Sequence, residues 1–96
     1  MNEDNSDGFT LVQFVNLSAR HRATGATTHY VGGSRVAGIK RLEIMSYQKG
    51  VCFYLIYKDA DGVEMTDTYH ETIEQAKVQA YREFEVRDCD WTCIGE

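Results

Sequence analysis

The apolar run Val51–Tyr57 limits the fold more than any other segment, because no charged residue interrupts its seven positions. Successive side chains of a β-strand point to opposite faces, so a run like this predicts a strand that is covered on both faces. Such a strand lies inside a sheet rather than at its edge. The run is also far too short to cross a bilayer. We therefore expect a central strand over Val51–Lys58.

Three other segments have the β-branched and aromatic composition typical of strands, namely Phe9–Leu17, Ile39–Tyr47 and Val63–Tyr69. The strands Ile39–Tyr47, Val51–Lys58 and Val63–Tyr69 follow one another closely. Tight turns are predicted between them at Gln48-Lys49-Gly50 and Asp59-Ala60-Asp61-Gly62. Short turns join neighbouring antiparallel strands, so the middle of the chain is predicted to form a three-stranded antiparallel meander.

A helix is predicted after the last of these strands. Thr72 followed by Gln75 has the spacing of a capping box. The apolar stripe at helical spacing consists of Ile73, Ala76, Ala80 and Phe84. A helix from Ile73 to about Glu85 can bury this stripe only against the sheet. The predicted fold is therefore α+β: an antiparallel β-sheet of about four or five strands with one C-terminal α-helix packed on one face.

The 96 residues are enough for one domain. We interpret residues 1–8 as a disordered leader and residues 9–96 as a single α+β domain with a long, glycine-rich, basic loop at 18–38. A short strand around His29–Val31 is predicted inside that loop. Another short strand is predicted at Asp88–Ile94.

The cysteines are predicted to be structural. Cys89 and Cys93 would lie too far apart in an extended strand for a disulfide, and would flank a core Trp91 as buried thiols. A zinc site would need further ligands. With Cys52 the chain has three cysteines, an odd number that fits a disulfide framework poorly.

Charge is divided along the chain, although the total is only −5. Residues 8–42 carry five basic residues and no acidic one, whereas residues 43–96 carry twelve acidic residues against five basic ones. The sequence thus offers two candidate surfaces of opposite sign.

The acidic half offers the first candidate site, a surface for a basic protein partner. Tyrosine beside carboxylates is a composition suited to protein interfaces. The candidate protein-binding residues are Tyr54, Tyr57, Asp59, Asp61, Glu64, Asp67 and Tyr69. The same residues are also typical of a solvated acidic face that only keeps the protein soluble.

The basic segment 18–41 offers the second candidate, an anion or nucleic-acid site. Its candidate residues are Arg20, Arg22, Arg35, Lys40 and Arg41. The nearby Gly32-Gly33 matches neither of the glycine-rich phosphate-binding motifs. A flexible loop whose cations balance the acidic remainder is the interpretation that these residues favour.

A small enzyme is the third alternative, with His70 as a general base oriented by Asp67. No nucleophile motif accompanies this pair. We expect no catalytic residue, no cofactor and no metal, and we interpret the chain as a non-enzymatic protein.

The N-terminal MNEDNSDG has neither the basic start nor the apolar run of a secretory signal, so a cytoplasmic location is predicted. The chain contains no proline, which leaves edge strands without one common protection. Pairing with a second copy of the chain, as a homodimer, is therefore an open alternative.

Several short stretches of the C-terminal half carry a resemblance: Asp61-Gly62, Thr66-Asp67-Thr68-Tyr69-His70, Ile73-Glu74-Gln75-Ala76-Lys77, Gln79-Ala80, Glu83-Phe84 and Trp91. They resemble a group of small bacterial proteins that end in strand–strand–helix with the pattern DTWH…EEAK.QA..EF…W. Tyr69 stands where that pattern has Trp. The resemblance covers about residues 52–94.

Some members of this group look like immunity or accessory proteins. The matching positions are packing and capping residues, so the resemblance implies the fold of the C-terminal half and no catalytic residue. The function expected from the residues and from the resemblance is a cytosolic protein-binding module, of the immunity type, that occludes a basic toxin or nuclease. Nucleic-acid or phosphate binding through residues 18–41 is the alternative.

Overall fold

The computed structural model describes residues 8–19, 21, 24, 30–31, 33–35 and 38–94. The elements are β1 (Phe9–Asn16), β2 (Tyr30–Val31), β3 (Ser34–Arg35), β4 (Arg41–Tyr47), β5 (Cys52–Lys58), β6 (Glu64–His70), α1 (Ile73–Phe84), a 3₁₀ helix (Asp88–Asp90) and β7 (Thr92–Cys93). Five strands form one antiparallel sheet in the order β6-β5-β4-β1-β7, and β2 pairs with β3 separately. The predicted α+β class, with one helix on one sheet face, is confirmed.

Both predicted turns of the meander are present. Gln48, Lys49 and Gly50 adopt φ angles of 50°, 57° and 100°, and the N–H of Val51 donates to the carbonyl of Tyr47 at 3.0 Å. In the second turn, Oδ1 of Asp59 accepts from the backbone N–H groups of Asp61 and Val63, each at 2.9 Å. These bonds replace ladder bonds where the chain reverses, so the three strands stay in register.

The helix begins where the sequence predicts it. Oγ1 of Thr72 accepts from the N–H of Gln75 at 3.1 Å, and Oε1 of Gln75 accepts from the N–H of Glu71 at 2.8 Å. Ala76 and Ala80 are fully buried against the sheet. The helix ends at Phe84, because Glu85 adopts the left-handed conformation (φ 58°, ψ 34°). The capping and the apolar stripe are both confirmed.

The core lies between α1 and one face of the sheet. Its buried residues are Val15, Leu42, Ile44, Leu55, Tyr57, Ala76, Ala80, Val86 and Trp91. Four of these nine come from alternate positions of β4 and β5, which bring one side of each strand under the helix. No helix in the described part of the chain has the length and apolar character that crossing a bilayer requires.

The prediction of a strand over Asp88–Ile94 is confirmed only for Thr92–Cys93 and is wrong for its first half. Residues 88–90 form a 3₁₀ turn, and only Thr92–Cys93 pairs with β1. The carboxylate of Asp90 accepts from the N–H of Arg87 at 2.8 Å, a local bond that curls the backbone. Trp91 is buried as expected, but Cys89 and Cys93 are exposed rather than buried.

The connection from β1 to β4 is closed at its base and attached to the domain. The N–H of Leu17 donates to the carbonyl of Lys40 at 2.8 Å, which joins the two ends of the connection, and the N–H of Thr24 donates to the carbonyl of Glu83 at 2.8 Å. Nε2 of His21 lies 3.0 Å from Oδ2 of Asp90. Part of the predicted loop 18–38 lies outside the described residues, as do residues 1–7 of the predicted leader.

Candidate functional site

The two faces of the five-stranded sheet differ in chemistry. Side chains alternate along β4: Leu42, Ile44 and Ser46 are buried on the side of α1, and the residues between them point the other way. We call the face opposite α1 the open face. A groove of about 480 Å³ crosses it. The groove is lined by Phe9, Glu43, Met45, Tyr54, Ile56, Lys58, Glu64 and Asp67.

Aromatic rings from four strands contact one another on the open face. The ring of Phe9 lies 4.8 Å from that of Tyr47 and 5.5 Å from that of Tyr54, and the rings of Tyr54 and Tyr69 are 5.6 Å apart, all between centroids. These are normal distances for tilted and edge-to-face aromatic pairs. We call these four rings the aromatic row. Tyr69 ends the row on β6 and is 56 % exposed.

Glu43 holds the two cations at the centre of the open face. Its Oε2 accepts from Nε of Arg41 at 2.7 Å, and its Oε1 lies 3.0 Å from Nζ of Lys58. Burial opposes ionisation of this carboxylate, but the hydrogen bonds and charges of Lys58 and Arg41 outweigh it and hold the pKa of Glu43 below its usual value. Arg41 and Lys58 are therefore both engaged by an acidic partner within the protein.

A β-bulge places two acidic residues side by side on the open face. Tyr57 pairs with Thr66 and Lys58 pairs with Glu64, so Met65 has no opposite residue on β5. The extra residue turns Glu64 and Asp67 to the same face, although three positions separate them. Burial, and then the charge and hydrogen bond of Asp67, raise the pKa of the Glu64 carboxyl. No ion pair with a basic side chain is formed by either residue among those described.

The structure gathers part of the predicted protein-binding surface. Tyr54, Glu64, Asp67 and Tyr69 share the open face. Asp61 is exposed in the β5–β6 turn, and Asp59 organises that turn with its carboxylate. All these residues lie within the two strands β5 and β6 and the turn that joins them.

Tyr57 does not belong to that surface, so its inclusion among the predicted protein-binding residues is wrong. It occupies the opposite parity of β5 from Tyr54, so it points beneath α1 and is fully buried. Its hydroxyl donates a hydrogen bond to Oε1 of Glu83 on the helix. Burial and this bond raise the pKa of the Tyr57 hydroxyl.

Sequence reasoning missed the part of the site that β1 and β4 provide. Phe9, Met45 and Glu43 line the groove but were not among the candidates. The Arg41–Glu43 ion pair could have been predicted from the sequence, since residues two apart in a strand share a face. The bulge at Met65 could not have been predicted, because a residue is extra only with respect to the pairing with the partner strand β5.

The described residues give little to the predicted anion site. Arg41 is bound by Glu43, donates from a terminal guanidinium nitrogen to Oδ1 of Asn16 at 3.2 Å, and stacks 4.0 Å above the ring of Phe14. Lys40 is exposed, and Arg35 lies in β3, paired with Tyr30. Arg20 and Arg22 lie outside the described residues, so anion binding stays a prediction.

The pairing of His70 with Asp67 as base and orienting acid is wrong. Asp67 pairs with Ile56 and points to the open face, whereas His70 pairs with Phe53 and points towards α1. Nε2 of His70 lies 2.8 Å from Oγ1 of Thr68 instead. Burial lowers the pKa of His70, and the charge of Glu83 opposes that shift.

Within the described ranges, no group of three or more His, Cys, Asp or Glu side chains could hold a metal ion. The candidate site is the acidic, aromatic end of the open face, where Glu64 and Asp67 lie beside the exposed Tyr69. Comparison of the chain with family models, with curated proteins and with solved structures finds no match. The resemblance of residues 52–94 to immunity-like bacterial proteins accordingly stays a prediction.

Proposed function

We propose that this chain is a non-enzymatic, cytosolic protein-binding module that docks a basic partner on its open face. Immunity-type inhibition, in which the module occludes a basic toxin or nuclease, is the form we favour. Free thiols on Cys52, Cys89 and Cys93 are compatible with a reducing compartment.

The observation that carries the proposal is the pair Glu64 and Asp67 beside the exposed Tyr69. The two carboxylates lie next to each other, and the nearest cations, Arg41 and Lys58, are bound by Glu43. A basic side chain from a partner would relieve the repulsion between the carboxylates, and Tyr69 adds a ring for contact with a cation. Charge of this kind also accelerates association at low salt.

The experiment is an affinity capture from lysate of cells that normally express the chain, at low and high salt. The bait is the wild-type chain, the double variant Glu64→Gln/Asp67→Asn, or the control variant Asp88→Asn. Asp88 is an exposed acid at the 3₁₀ turn, away from the open face. All three baits should fold, because the three residues are exposed and the substitutions keep their size.

We expect at least one basic protein that the wild-type and control baits retain at low salt and that the double variant loses by tenfold or more. High salt should weaken its retention. Retention of the same proteins by all three baits, or of no protein at low salt, would contradict the proposed function.

A further inference from the structure

Strand β6 is an edge of the five-stranded sheet. Among the described residues it pairs only with β5, and no other backbone hydrogen bond reaches the side that faces away from β5. The strand has seven residues and no proline. Alternate residues of such an edge direct unpaired N–H and C=O groups outwards, where an added strand can bind them.

The open-face side of this edge is acidic and aromatic. Asp67 and Tyr69 lie two positions apart, which corresponds to about 7 Å along a strand. Glu64 joins Asp67 on the same face through the bulge at Met65. A neighbouring strand would place every second side chain beside these groups. Basic side chains at those positions would meet the two carboxylates and the exposed ring.

The helix side of the same edge has different chemistry. A groove of about 340 Å³ runs beside α1, between His70 at the end of β6 and Gln75, Val78, Gln79 and Arg82 of the helix. Val78 is 55 % exposed there. The remaining side chains of an added strand would point to this side, where an apolar residue could cover Val78.

We propose that the β6 edge binds an extended segment of the partner, with basic side chains at every second position and apolar side chains between them. This inference rests on the proposed function and specifies its partner. A second copy of the chain fits less well. Full-length antiparallel pairing of β6 with itself would set Asp67 opposite its own copy, and like charges directly opposite destabilise a pair of strands.

The test uses a defined probe, a nine-residue peptide of alternating lysine and valine with both ends blocked. Two further peptides carry N-methyl groups on all lysine amides or on all valine amides. Each pattern removes the hydrogen-bond donors along one edge of the peptide strand. Affinity is measured at low salt for the wild-type chain, Glu64→Gln/Asp67→Asn and Asp88→Asn, and amide hydrogen exchange is followed in β6.

We expect one methylated peptide to bind at least tenfold more weakly than the parent and the other to bind within about twofold. The parent peptide should slow exchange of alternate β6 amides. It should bind Glu64→Gln/Asp67→Asn at least fivefold more weakly than the wild-type chain and Asp88→Asn.

Four results would overturn the inference, and only the third of them also contradicts the proposed function. Failure of the parent peptide to bind, or equal binding of all three peptides, removes strand addition while the affinity capture still tests the acidic surface. Sensitivity to methylation without sensitivity to Glu64→Gln/Asp67→Asn removes the basic character of the occupant and contradicts the proposed function as well. If the chain forms a dimer and the peptide dissociates it, the β6 edge binds a second copy of the chain instead.

Discussion

The hydroxyl of Tyr57, on β5, donates a hydrogen bond to Oε1 of Glu83, on α1, and both residues are buried between the sheet and the helix. Tyr57, which the sequence predicts to be a surface residue, therefore supplies a polar contact within the core. The bond satisfies a buried carboxylate, and it links the last helical turn to the sheet.

Removing that hydroxyl should destabilise the domain. Tyr57→Phe takes one donor from the buried Glu83 carboxylate, and we expect a loss of about 1–3 kcal/mol in the free energy of unfolding. Urea denaturation followed by circular dichroism measures it. Tyr54→Phe is the matched control on the open face, with an expected change of about 0.5 kcal/mol or less. Equal stability of the two variants would contradict the structural role of the bond.

The ion pairs of Glu43 should make stability depend on pH. A carboxyl whose pKa is lower in the folded chain than in the unfolded chain stabilises the fold above its unfolded pKa. That stabilisation is lost as the pH falls through the folded pKa. For Glu43 it is therefore complete at pH 7 and decreases below the usual value of 4.5. Glu43→Gln should cost about 1–2 kcal/mol at pH 7 and much less near pH 3, by urea denaturation at each pH.

The exposed Glu74→Gln variant is the control for that measurement, and it should change stability little at either pH. A Glu43→Gln effect that stays constant between pH 7 and pH 3 would show that the loss does not come from the charge.

The raised pKa of Glu64 should affect stability in the opposite direction from the lowered pKa of Glu43. Asp67→Asn removes the neighbouring charge that contributes to the raised pKa of Glu64, so that pKa should fall towards its usual value of 4.5. A raised folded pKa costs stability as the pH rises above the unfolded pKa, so the variant should be more stable at pH 7. We expect a gain of a few tenths of a kcal/mol, because both side chains are largely solvated.

NMR titration of the Glu64 side-chain carboxyl carbon gives the pKa in each protein. The gain in stability should shrink in 1 M salt, where the screening length is about 3 Å. An unchanged Glu64 titration in Asp67→Asn would contradict the placement of the two carboxyls on one face.

The helix end offers a stabilising substitution. Glu85 adopts the left-handed conformation at φ 58° and ψ 34°, which glycine enters without the steric cost of a Cβ atom. Glu85→Gly should raise the free energy of unfolding by about 0.5–1 kcal/mol. Glu85→Ala removes the same charge near the carboxyl end of the helix but keeps the Cβ. The glycine variant should therefore melt at a higher temperature than the alanine variant, and a reversed order would contradict the backbone explanation.

The local patterns of this chain were enough to predict most of its elements. The apolar run over β5, the turns at residues 48–50 and 59–62, and the Thr72 cap each depend on neighbours within a few positions. These features are local because strand alternation, turn geometry and capping bonds are all determined within a few residues of sequence.

The end of the chain shows where that reasoning fails. Alternation over Asp88–Ile94 suggested a strand, but the carboxylate of Asp90 bonds the N–H of Arg87 and curls the backbone. Strand propensity decides little when the pairing with the neighbouring strand is short, here with Gln13 and Phe14 of β1 only. The local hydrogen bond therefore prevailed, and both nearby cysteines became exposed.

By itself, the sequence determined the fold class, the helix with its cap, the meander and the acidic character of the C-terminal half. The tertiary structure decided which residues share the open face. The bulge at Met65 sets Glu64 beside Asp67, the pairing of β1 with β4 brings Phe9 into the aromatic row, and strand parity takes Tyr57 out of the surface. Each of these depends on contacts between strands far apart in sequence, which no local pattern encodes.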